Sequence, residues 1–461
     1  MKIAIAAVHL EHVKRGIETW AVDTFAALAA RGCDVTLFKG SGPSGVRERS
    51  IHSIKRDTRL SRLLVGCTPK AAWHIGLGSG NQLEELTFAR SFLRRLQKEH
   101  FDVVHMQDAH AADYLRRAGL AGKHAARIVL AHGTEEPPSF LAPFQFLQHL
   151  APYHMQECLA ALGWGDEGER RDEGGKLKAE GGSTCGGKAE GDFRRNNASC
   201  VSPPPPQPSP FIPQPSPLPP PGWCALPNFV DTDVFRPAGA SEKRRIRSRL
   251  EIPEDAFVVL SVAAVKKHHK RIDYLIREFE SLLNWATDAP VAGDTGDRHP
   301  TSDLRPPLLL VAGAREHDTA ELMAYAEDRL AGQARFLIDV PREQMPDILR
   351  AADVFALCSL KEMMPIALLE ATASGLPCLV QKYPVEEWMI GPGGQAIDMS
   401  RKGALAEALR TYQDRTLRND IGGKARQYAV DTFAKEPVID TYIEMYERIM
   451  TLPLATPPLR P

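Results

Sequence analysis

The sequence lacks several features that would assign the chain to well-defined classes. It has no stretch of about 18 consecutive apolar residues, so it predicts no membrane-spanning helix. Its eight cysteines include no C-x-x-C pair, which argues against a zinc ribbon or a disulfide framework and fits a reducing compartment. Its formal net charge is −1, so the overall charge gives no reason to expect nucleic acid. We therefore expect a cytoplasmic protein without a nucleic-acid partner.

Two patterns are also missing near the N-terminus. Residues 1–8 are apolar, but they are too few for the hydrophobic region of a secretory signal, so we interpret them as a first strand. The turn that follows lacks the pattern G-x-G-x-x-G, which disfavours a dinucleotide site there. A single glycine, Gly16, precedes the first helix.

The length of 461 residues predicts at least two domains. Short apolar runs alternate with amphipathic helical segments over residues 1–162 and again over residues 225–436, which predicts two α/β domains with parallel sheets. Residues 163–224 between them are rich in glycine, charge and proline, and predict a disordered insertion, with a retained intron or a faulty gene model as the alternative. Residues 141–162 are predicted to be helical, interrupted by Pro143 and Pro152.

One stretch in the second domain carries the strongest functional signal. Residues 352–358 and 378–381 are predicted strands, and the segment between them is a loop followed by a short helix, with Pro365 predicted at the first helical position. Free N–H groups and the dipole at that helix start favour a phosphate. Glu362 lies in the loop and Glu370 about five residues into the helix. An anion site between two acids suits a nucleotide or a sugar.

Other candidates follow predicted strands, at the edge where open α/β sheets bind ligands. His132 follows one strand in the first domain, and Gly313 ends one in the second. Residues 266–271 form a run of six basic or imidazole side chains at a strand-to-helix turn, which predicts a compact cation site. On their own these signals are weak, because a lone histidine or a charged run more often has a structural role.

The stretch from Glu362 to Pro377 resembles the E-x7-E signature of the retaining glycosyltransferases of family 4. The resemblance covers roughly residues 1–162 and 225–450. It implies the GT-B fold, in which two Rossmann-like domains face a cleft and the last helix, at about residues 437–450, packs back on the first domain. It also implies that a sugar moves from a UDP- or GDP-sugar to a hydroxyl acceptor with retention of configuration.

The same resemblance implies roles for individual residues. Glu362 would face the donor sugar, Glu370 would hold the ribose, and His132 would contact the sugar or the acceptor. The remaining donor-binding residues would be Gly16, Lys266, Lys270, Gly313, Met364, Pro365 and Ile366. The chain departs from the family at Ala263-Ala264, where Gly-Arg is usual. This change removes one positive charge from the phosphate clamp, and Lys266 or Lys267 is the candidate substitute.

The sequence predicts neither a metal nor a cofactor. Asp231-Thr-Asp233 has a metal-binding D-x-D spacing, but the surrounding stretch matches the family's interdomain segment. The acceptor, whether sugar, lipid or polysaccharide, is not identified by the sequence, and peripheral membrane contact is compatible with all three. Two alternatives stay open. One is a catalytically impaired nucleotide-sugar-binding protein, favoured by Ala264 and by a last strand of the first sheet that the sequence does not reveal. The other is a nucleotide-sugar epimerase.

Overall fold

The computed structural model describes residues 1–12, 16–67, 78–119, 125–164, 219–287 and 306–454. The predicted disordered insertion falls mainly on residues 165–218 and so lies outside the described residues. All structural statements below concern the described part of the chain.

The first domain is built on a parallel sheet of seven strands in the order β3-β2-β1-β4-β5-β6-β7. Most of its strands are short apolar runs that helices cover on both faces, as expected for a parallel sheet. The strands are β1 (Lys2–Ala7), β2 (Asp34–Lys39), β3 (Glu48–Ser50), β4 (Val103–Met106), β5 (Arg127–His132), β6 (Phe146–His149) and β7 (Trp223–Ala225). The helices are α1 (Gly16–Ala30), α2 (Arg59–Gly66), α3 (Gly80–Leu96), α4 (Ala109–Ala118), α5 (Pro138–Leu141) and α6 (Pro152–Ala161).

The predicted helix over residues 141–162 is wrong. The chain there forms the end of α5, the buried strand β6 and then α6, whose first residue is Pro152. Proline fits the first position of a helix but not its interior, so Pro152 marks a helix start rather than an interruption. The strand that the sequence did not reveal is also present, because β7 pairs with β6 from the far side of the predicted insertion, with Leu147 opposite Trp223.

The second domain contains a parallel sheet of six strands in the order β10-β9-β8-β11-β12-β13. Its strands are β8 (Val258–Val262), β9 (Leu308–Gly313), β10 (Ala334–Ile338), β11 (Val354–Leu357), β12 (Cys378–Gln381) and β13 (Gly394–Ile397). Its helices are α7 (Ala240–Arg249), α8 (Ile272–Thr287), α9 (Thr319–Leu330), α10 (Met345–Ala351), α11 (Ile366–Ala373), α12 (Pro384–Ile390), α13 (Ala404–Thr411), α14 (Arg415–Phe433) and α15 (Lys435–Thr451). The predicted fold class, two parallel-sheet α/β domains, is confirmed.

The last helix, α15, packs on the first domain. The indole N–H of Trp20 donates to the hydroxyl of Tyr442 at 3.1 Å. The hydroxyl of Tyr446 lies 2.7 Å from Nδ1 of His105. These buried contacts tie α15 to α1 and β4, and one apolar cluster accordingly contains residues of both domains. Among the described helices, none has the length and apolar character to cross a membrane.

Candidate functional site

The centre of the site is the start of α11. Pro365 is the residue just before the helix rather than its first residue, which corrects the prediction, and Ile366 begins the helix. The helix ends at Ala373, and Gly375 follows the capping residue Ser374 with a φ of +73°, which favours glycine. A Cβ there would also lie 2.8 Å from the ring of Pro237. The first N–H groups of an α-helix lack partners within the helix, so this end of α11 offers donors to an anion.

The loop before α11 joins two of the predicted site residues. The Lys270 ammonium forms an ion pair with the carboxylate of Glu362, and Glu362 is buried. Nε2 of His269 lies 3.9 Å from the second oxygen of the same carboxylate and 3.1 Å from the carbonyl of Lys361. The structure thus places one acid and one base together beside the start of α11.

The basic side chains of residues 266–271, the predicted cation site, have different partners in the structure. Lys267 pairs with Glu321 on α9, away from α11. Arg271 donates to the carbonyls of Cys358 and Met399 at 3.3 and 3.0 Å, which is a structural role. Lys266 lies close enough to His269 that its charge contributes to lowering the pKa of that imidazole, although burial is the main cause.

Glu370 meets a residue that the sequence analysis did not assign to the site. Nη1 of Arg342, from the turn before α10, lies 3.0 Å from Oε1 of Glu370. Its Nη2 donates to Asp23 on α1 of the first domain at 2.7 Å. Burial raises the pKa of Glu370 to about 7, with Arg342 opposing the shift and Asp23 adding to it. The guanidinium therefore bridges the two domains on the carboxylate expected to hold the ribose.

Gly313 lines a small cavity of about 90 Å³ at the carboxyl end of β9. The other lining residues are Ala314, Asp339, Val340 and Met345. A Cβ on Gly313 would lie 1.7 Å from the carbonyl oxygen of Ala263, so only glycine permits this close approach of β9 to the chain after β8.

Gly16 faces α11 from the other side of the cleft. It begins α1, and a Cβ at Gly16 would lie 4.0 Å from Cδ1 of Ile366. Two helix N-termini, one from each domain, therefore converge on the same space.

His132 belongs to a cluster of three buried histidines. Its Nδ1 lies 3.3 Å from Nδ1 of His149, and the ring of His154 is 6.3 Å away between centroids. His154 also lies close to the backbone of Met363, which connects the cluster to the loop before α11. Burial lowers the pKa of His132 to about 4, and positive charge on His154 and Lys361 lowers it further. His132 is therefore neutral at physiological pH.

Another buried carboxyl group lies close to Glu362. Glu386 is fully buried on α12. Burial raises its pKa to about 8, the charge on Glu362 raises it further, and Lys270 opposes the shift. At neutral pH most of its carboxyl groups are protonated.

Sequence reasoning identified some of these side chains and missed others. Glu362 and Glu370 come from one contiguous stretch and were found. The missed residues are Asp23, His149, His154, Arg342 and Glu386. His149 ends a strand as His132 does, but the pattern of residues 141–162 predicts a helix and so conceals this signal. Asp23 and Arg342 carry no local signal, because only the apposition of the two domains brings them together.

Asp231, the first acid of the D-x-D pattern, has structural partners. Its carboxylate pairs with Lys435 at 2.5 Å. It also accepts hydrogen bonds from the backbone N–H groups of Asp233 and Val234, both at 3.1 Å. These contacts fix the segment that enters the second domain.

Two family models match the chain. The model for "Glycosyl transferases group 1" matches residues 242–428, and the model for "Glycosyltransferase Family 4" matches residues 14–160. Among similar curated proteins, the alpha-galactosylglucosyldiacylglycerol synthase of Streptococcus pneumoniae is 24% identical over 48% of this chain and 54% of its own length. The UDP-Gal:alpha-D-GlcNAc-diphosphoundecaprenol alpha-1,3-galactosyltransferase of Escherichia coli is 33% identical over 23% and 28%. The matches thus span about half, or less, of these relatives.

Solved structures share the fold over nearly the whole chain. The sucrose-phosphate synthase of Thermosynechococcus elongatus superimposes with a TM-score of 0.65 at 15% identity, covering 98% of this chain and 99% of its own. Anabaena Alr3699/HepE, solved in complex with UDP-glucose, gives 0.62 at 12% identity and covers 98% and 100%. Together the two family models cover more than half of the chain, and the fold agrees with them. The chain therefore belongs to the group 1 glycosyltransferases, family 4, of the GT-B fold.

Proposed function

We propose that this protein transfers a sugar from a nucleotide diphosphate sugar to a hydroxyl acceptor, with retention at the anomeric carbon. The observation that carries the proposal is the arrangement at the start of α11. There the Glu362–Lys270 ion pair and the Glu370–Arg342 ion pair flank the end of a helix that favours an anion.

Each group has a role suited to its chemistry. Lys270 and the backbone N–H groups of Met364 and Ile366 would stabilise the departing diphosphate, an electrostatic contribution of several kcal/mol in a water-poor site, about 3 kcal/mol per donor. Glu362 would orient the donor sugar by accepting from its hydroxyls. Glu370 would accept from the ribose hydroxyls, and Gly313, which lines a small cavity, would contact the nucleotide.

The proposed reaction requires no separate base from the protein. The bond between the anomeric carbon and the diphosphate oxygen breaks, and the acceptor oxygen bonds to the same face of that carbon. The acceptor proton passes to the leaving diphosphate oxygen. His132, neutral because burial lowers its pKa, would contact the sugar or acceptor by hydrogen bonding rather than as a cation. In the proposed reaction, the positive charge of Lys270 stabilises the diphosphate, which is a role that a metal ion would otherwise have.

The relatives suggest which substrates to test first. One relative is named for transfer from UDP-Gal to alpha-D-GlcNAc-diphosphoundecaprenol, and another is named as a synthase of a glycosyldiacylglycerol. D-inositol 3-phosphate glycosyltransferases are also similar, such as that of Corynebacterium jeikeium at 27% identity over 49% of this chain and 52% of its own. We propose UDP-hexoses as donors and a lipid-linked or free polyol as acceptor, with peripheral membrane contact in the lipid case.

The test is nucleotide release from a panel of UDP- and GDP-sugars in the presence of an acceptor mixture. Wild-type protein should release UDP or GDP, and Glu362→Ala should abolish the release. Glu407→Ala, at an exposed glutamate on α13, is the matched control and should retain activity. Equal background release by wild type and Glu362→Ala would contradict the proposal. The anomeric proton coupling of the product decides between retention and inversion.

A catalytically impaired nucleotide-sugar-binding protein is the second candidate. The observation that favours it is Ala264, which stands where the family has an arginine on the diphosphate. The other argument for it fails, because β7 completes the first sheet. This candidate predicts that UDP-sugars bind, as measured by calorimetry, while no donor in the panel turns over with any acceptor.

A further inference from the structure

The helix α2 carries its apolar side chains on the side that faces solvent. Leu60, Leu63 and Leu64 have the spacing that places side chains on one face of a helix, and they are 51%, 64% and 38% exposed. The one buried residue of α2, all of which is described, is the small and polar Ser61. A helix on the surface of a globular protein normally turns its apolar stripe toward the core. The reversed orientation of α2 therefore points to an external apolar surface that covers this face.

Positive charge adjoins the exposed leucines. Arg59 and Arg62 lie one turn apart on the flank of this face, and both are exposed. Neither guanidinium forms an ion pair with a residue that the structure describes. Residues 54–67 contain a single acid, Asp57, and four basic side chains. An apolar face bordered by arginines is complementary to a surface that is apolar inside and negatively charged outside, which is the character of an anionic lipid bilayer.

The position of α2 relates this face to the cleft. The helix follows β3, which runs parallel to β2 at the edge of the first sheet, so the chain leaves β3 at the carboxyl end of the strands. Just before the helix, the backbone N–H of Arg56 donates to Glu84 at 3.2 Å, and Glu84 lies 3.2 Å from Nδ1 of His9, which follows β1. The helix α2 therefore lies at the carboxyl-end edge of the sheet, the edge that also carries Gly16 and His132.

We propose that α2 docks the protein on the surface of a membrane that contains anionic lipids. The three leucines enter the boundary between headgroups and acyl chains, and the two arginines contact the headgroup phosphates. Because α2 lies at the edge that carries the cleft, docking presents a lipid acceptor to the cleft from the side of the first domain. The inference rests on the proposed function for this use of the surface, whereas the docking itself does not require sugar transfer.

The test is flotation of the full-length protein with vesicles of phosphatidylcholine alone and of phosphatidylcholine mixed with phosphatidylglycerol. Wild type should bind the anionic vesicles at least about 10-fold more tightly than the neutral ones, and high salt should weaken this binding. Arg59→Gln/Arg62→Gln should lower affinity for the anionic vesicles by about 25-fold, at about five-fold for each arginine. Leu60→Ser/Leu63→Ser should lower it by about 10-fold or more, because less apolar surface is buried.

Two double variants in the second domain are the matched controls, and both should bind as wild type does. Arg245→Gln/Arg415→Gln removes two exposed arginines, and Val234→Ser/Met323→Ser removes two exposed apolar side chains.

Transfer and docking are separated by a further pair of measurements. Glu362→Ala should release no nucleotide but should bind vesicles as wild type does. The α2 variants should retain transfer to a water-soluble acceptor. Loss of transfer to soluble acceptors in wild type would thus contradict the proposed function and leave docking to be decided by the vesicles.

A measurement on the wild-type protein guards against variants that fold poorly. Cys67 caps α2 and is exposed, so anionic vesicles should slow its alkylation, as measured by mass spectrometry of its peptide. Alkylation of the half-buried Cys33, which precedes β2, should not change.

Three results would overturn the proposal. One is the absence of wild-type binding to anionic vesicles, as expected if residues 68–77 of the chain cover the face. Another is equal binding by wild type and both α2 variants. The third is a concentration-dependent dimer that Leu60→Ser/Leu63→Ser abolishes, because a second copy of the chain would then be the occupant.

Discussion

At the scale of single residues, Glu370 is a site residue whose charge state should change near neutral pH, where it can be tested. It is 4% exposed, and its carboxylate already has one partner, Arg342. Because burial raises its pKa to about 7, roughly half of the carboxyl groups are protonated at neutral pH before donor binds. A carboxylate accepts hydroxyl hydrogen bonds more strongly than a carboxylic acid does. Donor binding should therefore favour the ionised form.

The first prediction follows from this charge state. In wild-type protein, kcat/KM for the donor should rise from pH 6 to pH 8, because Glu370 ionises in that range and that parameter reports the free enzyme. Glu370→Gln should raise KM for the donor by about 10–100-fold, as expected for loss of a hydrogen bond to a charged group worth about 1.5–3 kcal/mol, and should remove this part of the pH dependence. Steady-state kinetics on both proteins at four pH values is the measurement.

Glu407→Gln provides the control for this prediction, because it makes the same chemical change on the exposed surface of α13. It should leave both KM and the pH profile as in wild type. A Glu370→Gln protein with the wild-type pH profile would show that another group titrates in this range. Glu386 is then the group to examine, since burial raises its pKa to about 8.

At the scale of elements, α15 connects the two domains through a few buried polar contacts. Tyr446 is fully buried, and its hydroxyl bonds the ring of His105 on β4. We predict that Tyr446→Phe lowers the free energy of unfolding by about 1–2 kcal/mol, because the variant leaves a buried imidazole nitrogen without its partner. Urea denaturation measures this loss. Tyr114→Phe, at a half-buried tyrosine on α4, is the matched control and should change stability by less than about 0.5 kcal/mol.

Local signals were sufficient for some elements and not for others. The bounds of β12 agree with the sequence prediction at both ends, because an apolar run marks this strand within the segment itself. Strand β6 was missed because it has four residues and ends in the polar pair Gln148-His149. Its identity as a strand depends on pairing with β7, which lies far along the chain. Short buried strands of this kind are specified by tertiary partners rather than by propensity.

At the scale of the whole molecule, the site residues that the sequence predicts are those that share one local segment. Glu362 and Glu370 lie on one loop and helix, so their proximity follows from helix geometry. The contact of Arg342 with Asp23, and that of His154 with the backbone of Met363, join different domains. Such contacts depend on how α15 and the interdomain segment fix the two sheets. No spacing within the sequence encodes that arrangement.

The stability of the whole molecule should depend on pH through opposing groups. Burial lowers the pKa of His105 to about 3, below the value near 6.5 that it has in the unfolded chain. Between these values the unfolded state binds a proton that the folded state does not, so this residue makes the protein less stable as pH falls. Raised carboxyl pKa values, as in Glu370 and Glu386, act in the opposite direction over the same range. The pH dependence of the unfolding free energy is therefore the difference between these opposing contributions. A variant that lacks one titrating group is needed to isolate the contribution of that group.

We predict that His105→Gln removes one such contribution. The wild-type protein, relative to the variant, should lose about 2 kcal/mol of unfolding free energy between pH 7.5 and pH 5.0, because pH 5.0 lies about 1.5 units below the unfolded pKa and each unit is worth about 1.4 kcal/mol. Any destabilisation by the substitution itself is independent of pH and cancels in this comparison. Urea unfolding of both proteins at several pH values measures the effect, with the exposed His52→Gln as control. Parallel pH curves for wild type and His105→Gln would mean that His105 titrates normally in the folded protein, and hence that β4 and α15 do not bury it as the structure shows.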